Sequence, residues 1–184
     1  MIWLVLGLAI WCAAHLFKRV APRRREALGT KGRGLVALLV VAGLGLMIFG
    51  YRAAETDVLY VLPMWTWHVN NGAMLVALFL MDIGRVKGVV RSKIRHPMLT
   101  GVVLWSVAHL LVNGDTASLV LFGGLGLWAL VEMAVINRAE GPWTPPAPGS
   151  YAKDAMMLGA AAVLFAVIAG IHYWLGYPVV AVLT

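Results

Sequence analysis

Three observations predict an all-α membrane protein, a polytopic bundle of about six transmembrane helices forming one domain over residues 1–184. Hydrophobic residues make up 61% of the chain and charged residues 12%; a soluble domain carries roughly twice that charged share. Long apolar runs recur along the whole length. Between them, the basic residues fall in alternate loops. A water-soluble fold is excluded, because the runs leave no polar face for solvent.

Six apolar segments carry the prediction: Ile2 to Phe17, Gly34 to Gly50, Val58 to Met81, Pro97 to Val112, Thr116 to Ile136 and Ala155 to Leu175. The first, IWLVLGLAIWCAAHLF, has no basic stretch before it and no small-residue cleavage pattern after it. It is expected to be a retained helix rather than a signal peptide. It holds the single cysteine, Cys12, so a disulfide within the chain and a four-thiolate metal site are both excluded. In the second and fifth segments, Gly43 with Gly45 and Gly123 with Gly124 are small residues suited to close helix contact. The fourth segment is short for a ~30 Å hydrocarbon core at ~1.5 Å per residue, unless helix continues into Asn113. Pro97 suits its first turn, where a missing N–H costs nothing. Asp115 is placed to cap the fifth segment at Thr116. The last loop, EGPWTPPAPGSY, is a short extended linker.

Orientation follows from charge. Fourteen of the 15 basic residues lie in loops one, three and five: Lys18, Arg19, Arg23, Arg24, Arg25, Lys31 and Arg33; then Arg85, Lys87, Arg91, Lys93 and Arg95; then Arg138 and Lys153. Basic loops stay in the cytoplasm, so both termini are expected outside and the location is a multi-pass one, as in a bacterial inner membrane. The net charge of +7 suits contact with anionic membrane lipid. No soluble module is present to bind nucleic acid.

Ionisable rings inside such spans are expensive and mark functional sites. His96 and His109 are thirteen residues apart in one segment, about 20 Å along a helix, so they belong to different sites. His68, His109 and His172 all fall toward the outer side and form a candidate triad. His15, His96 and Glu132 form a candidate inner group, with Glu132 expected to pair with Arg95, Arg138 or His96, and His96 to cap its helix. Val102, Trp105, Ser106 and Asn113 share or follow the face of His109, and Trp65, Trp67, Asn71 and Gly72 surround His68. Neutral imidazoles on facing helices suit the axial positions of a haem iron. Zinc is a second option, with Asp115 as an added ligand. Rings hydrogen-bonded to backbone carbonyls and bridging helices are the purely structural alternative. On depth, His68 is the partner expected for His109.

The stretch RHPMLTGVVLWSVAHLLVNGD resembles the signature of the NnrU family, which includes the zeta-carotene isomerases. The likeness extends over essentially the whole chain, through the early His15, the WTWH segment and the closing IHYWLGYPV. It implies a polytopic membrane protein. Its isomerase branch implies haem b and isomerisation of a carotenoid double bond, and its NnrU branch implies a role in nitrite and nitric oxide metabolism in denitrification. The resemblance also implies His15 and His109 as iron ligands. Where the isomerases carry a proposed cysteine ligand, this chain has Ser106, which removes that thiolate. RHPMLTG is also similar to an element of the isoprenylcysteine carboxyl methyltransferases, which implies S-adenosylmethionine held near His96 and Glu140; the second half of that pattern is incomplete at INRAEG. The function classes carried forward are a haem-dependent isomerase or redox protein acting on an apolar or small-molecule substrate, a methyltransferase-like enzyme, and a non-enzymatic transporter or assembly factor.

Overall fold

The computed structural model describes residues 1–177 and 179. Pro178 of the IHYWLGYPV element lies outside the described residues. The architecture is all-helical: α1 (Ile2–Val20), α2 (Pro22–Ala27), α3 (Gly29–Arg52), α4 (Thr66–Asp82), α5 (Pro97–Leu110), α6 (Thr116–Ser118), a π-helical turn at Leu119–Gly123, α7 (Gly124–Glu140) and α8 (Tyr151–Trp174). Among the described residues, four helices are long and apolar enough to cross a membrane: Ile2–Val20, Gly29–Arg52, Thr116–Glu140 and Tyr151–Trp174. Their outward faces fit that medium. On α3, Leu38 is 65% and Val41 67% exposed, an apolar surface that lipid, not water, accommodates.

The expected third and fourth segments come out shorter. The third begins at Thr66, not Val58. Val58 forms an antiparallel bridge with Asp115, and the N–H groups of Leu59 and Tyr60 both donate to the Gly114 carbonyl. Pro63 then disfavours helix for the residue before it. The fourth stops at Leu110, because the Leu111 N–H turns back to Val107 and Ala108, and Asn113 closes onto the His109 carbonyl through both its N–H and its Nδ2. Fourteen residues reach about 21 Å.

Two compact units make up the chain, one from Met1–Tyr60 with Gly114–Gly141, the other from Val61–Asn113 with the described residues from Pro142 on. In the first, α1 and α3 run antiparallel at backbone contact. Gly7 lies against Met47 and Gly43, and Gly50 against Leu4. Leu4, Met47 and Ala117 form the buried core. Asp115 caps α6 as expected, accepting from the Ser118 N–H at 2.9 Å, while Tyr51 and Ser118 join hydroxyls at 2.8 Å. In the second unit, α4 packs against α5 and α8, and Ile83 is fully buried at the foot of α4. Ser150 caps α8 through the Ala152 N–H.

Candidate functional site

His109 stands near the end of α5, with its ring Nδ1 3.0 Å from the Trp105 carbonyl one turn earlier. A carbonyl only accepts, so Nδ1 carries the proton and the lone pair of the neutral ring is on Nε2. The indole of Trp105 packs on the imidazole, with centroids 4.7 Å apart. Ser106 is buried beside it, and its hydroxyl oxygen has no hydrogen-bond partner among the described residues. Asn113 Nδ2 donates to the His109 carbonyl at 2.9 Å. His172, in the same unit, fixes its Nδ1 to the Ile168 carbonyl at 2.8 Å and interacts electrostatically with His109. His68 is exposed on α4, and its neighbour Asn71 donates to the Val179 carbonyl at 2.9 Å. No group of three or more His, Cys, Asp or Glu side chains among the described residues is arranged to hold a metal ion. The three rings of the expected outer triad share the second unit, and among the described residues they are not grouped as a three-ligand set.

His15 repeats the arrangement in the first unit. Its Nδ1 lies 2.9 Å from the Trp11 carbonyl, and its ring packs on Trp11 at 4.3 Å and on Trp128 of α7 at 4.8 Å. Two stripes spaced by multiples of four residues meet here. Trp11, His15 and Arg19 come from α1, and Trp128, Glu132 and Glu140 from α7. Arg19 pairs with Glu140 at 2.9 Å. Glu132 is buried, and its interactions are electrostatic, with His15 and Arg19. This corrects the expected pairing with Arg95, Arg138 or His96: Glu132 lies on the stripe of α7 that faces α1. His96 and Arg95 belong to the second unit. His96 sits at the N-cap of α5 but its ring makes no capping hydrogen bond; its carbonyl accepts from Thr100 instead. Trp11 Nε1, Trp128 Nε1 and Glu132 Oε2 are buried without hydrogen-bond partners among the described residues.

The likeness of the two histidines reaches further than their hydrogen bonds. Gly7–Leu16 reads GLAIWCAAHL and Gly101–Leu110 reads GVVLWSVAHL. Gly7 meets the Met47 nitrogen and Gly43 oxygen of α3, and Gly101 meets the Met81 nitrogen and Ala77 oxygen of α4. Leu44, Leu46 and Met47 correspond in turn to Leu78, Leu80 and Met81. Each unit is thus built on the same helix pair, with Cys12 standing where the other copy has Ser106. Residue-by-residue chemistry misses Trp11 and Trp128 as neighbours of a histidine; comparing the chain with itself finds Trp11.

The donor set is compatible with axial ligation of haem. A ligating imidazole donates its other ring nitrogen to a carbonyl, which fixes tautomer and orientation, and His15, His109 and His172 all do so. A family model described as NnrU protein matches residues 3–179. No curated protein and no solved structure matches the chain. With nearly its full length matched, the chain belongs to the NnrU family.

Proposed function

We propose that this NnrU-family membrane protein binds haem b, with His109 as the principal axial ligand, and that it crosses the bacterial inner membrane six times with its basic loops in the cytoplasm. The supporting observation is the Nδ1–carbonyl hydrogen bond at His109, repeated at His15 and His172. It presets a neutral imidazole with its lone pair on Nε2, the form an iron centre takes. Trp105 limits the swing of the ring, and Asn113 ties down the end of its helix. Ser106 leaves a buried hydroxyl where a cysteine would supply a thiolate. When bound, the haem supplies an iron centre for one-electron or ligand-binding chemistry, on an apolar substrate of carotenoid type or on a small molecule such as nitrite or nitric oxide. His15, His68 and His172 are the candidates for the second ligand.

The test is a visible spectrum of detergent-purified protein made with ample haem. Wild type is expected to show a Soret band of six-coordinate, low-spin form. His109→Ala is expected to lose most of it, since no thiolate stands nearby to substitute. The second ligand is the residue among His15, His68 and His172 whose alanine variant turns the spectrum five-coordinate. A wild type without Soret absorption removes the haem proposal and leaves the rings as structural groups.

A further inference from the structure

The second unit holds a cationic cavity whose lining includes none of the histidines. It measures about 220 Å³ and is lined by Lys87, Gly88, Arg91, Pro146 and Ala147. Its walls are two loops laced together by backbone. The Ser150 N–H donates to the Lys87 carbonyl at 3.1 Å, and the Gly149 N–H to the Gly88 carbonyl at 3.2 Å. From behind, Asp154 Oδ2 accepts from the N–H groups of Val89 at 2.8 Å and Val90 at 3.1 Å. Gly88 is required at the contact, because a Cβ there would collide with Asp154 Oδ1. Ser92 closes the turn by donating to the Val89 carbonyl at 2.7 Å. Lys87 and Arg91 are therefore presented by a fixed backbone.

Neither cation has a carboxylate partner among the described residues. The one acidic side chain in loop three's approach, Asp82, is taken by Arg85. Asp154 is buried, with one oxygen held by two N–H donors. Two positive side chains, one exposed and one half-buried, thus border a small apolar floor of Pro146 and Ala147. Small-molecule pockets run from roughly 300 to 1,000 Å³. A cavity below that range admits a headgroup, not a nucleotide-sized cofactor.

We propose that Lys87 and Arg91 form a binding site for the phosphate of an anionic phospholipid headgroup, with Pro146 and Ala147 against its glycerol portion. The guanidinium of Arg91 grips phosphate oxygens through paired N–H donors, and the Lys87 ammonium adds a point charge. Basic pockets beside membrane helices on the cytoplasmic side hold lipid headgroups in this way.

The experiment places the full-length protein in nanodiscs of phosphatidylcholine containing increasing phosphatidylglycerol, and counts retained phosphatidylglycerol by native mass spectrometry. Each cation near an anionic surface is worth about fivefold in affinity, so Lys87→Gln/Arg91→Gln is expected to weaken retention about 30-fold. The control Arg23→Gln/Arg24→Gln, exposed on α2, is expected to change it by less than about twofold. Should the double variant fail to fold, the exposed Lys87→Gln alone carries the test with a loss of about fivefold. Equal losses in site and control variants overturn the proposal in favour of diffuse attraction. In a separate arm, inorganic phosphate is titrated against the loaded protein. Displacement of the lipid at low millimolar phosphate overturns the lipid as occupant and assigns the site to free phosphate; retention supports the lipid.

Discussion

Gly7→Ala tests a close backbone contact between α1 and α3. A Cβ at position 7 would sit 2.6 Å from the Met47 nitrogen and 2.7 Å from the Gly43 oxygen. Both are backbone atoms, which no rotamer change can move. Ordinary contact begins near 3.4 Å, so α1 and α3 must separate locally by about 0.8 Å. A gap of that size forfeits a quarter to a half of each dispersion well along the seam, and overpacking of this kind costs about 1–3 kcal/mol. Alanine also favours helix over glycine by up to about 1 kcal/mol. Gly45→Ala removes that ambiguity, since it carries the same propensity gain with nothing within 4 Å of the new methyl. The two variants are expected to differ by about 1–3 kcal/mol, with Gly45→Ala the more stable. At about 2–4 °C per kcal/mol for a chain of this size, that separation is readable in a thermal melt followed by circular dichroism in mild detergent. Equal melting temperatures, or a more stable Gly7→Ala, would refute backbone contact between α1 and α3.

Asp115→Ala removes the α6 cap and is expected to cost about 1–2 kcal/mol in the same melt; an unchanged midpoint would mean that the Ser118 hydrogen bonds contribute nothing. Glu132→Leu replaces a buried carboxylate oxygen that has no hydrogen-bond partner among the described residues, and is expected to raise the midpoint; a fall would mean that the attraction of His15 and Arg19 outweighs the cost of burying the charge. For topology, Cys12 is first replaced by alanine. A cysteine at Thr56 is then expected to react with an impermeant thiol reagent applied outside, and one at Lys93 only after the membrane is opened. The reverse pattern would invert the assigned orientation.

Hydropathy and charge were enough to read an all-helical membrane protein from the sequence, and they located each apolar helix within a few residues at most ends. They failed at Val58–Met64 because an apolar run reports burial in lipid or protein, not backbone conformation. There the chain is extended and holds the Gly114 carbonyl, and only Pro63 hinted at it. The short α5 was legible in its length, but its end was set by Asn113 closing on His109, a local hydrogen bond that hydropathy does not register. At the site, the i to i+4 spacing of Trp105 and His109 was visible. The partner of Glu132 was not, because proximity in sequence favoured Arg138 while the four-residue stripe of α7 turned it toward α1. The doubled GxxxWxxAHL pattern lay open throughout, yet it becomes visible only when the chain is aligned with itself.

The two units are interleaved along the chain, and this bears on how the protein is made. Its ribosome delivers α1 and α3, then α4 and α5, and only afterwards α7, which returns to the first unit, and α8, which returns to the second. Each helix pair must therefore wait for its third member while the other pair is already inserting. Until α7 arrives, Trp11 and His15 lack the Trp128 ring that later packs against them. A chain stalled after Asn113 would hold both pairs and neither third helix. Neither unit corresponds to a contiguous stretch that could be cut out and expressed alone, so nascent-chain length, rather than domain excision, is the variable along which its assembly can be followed.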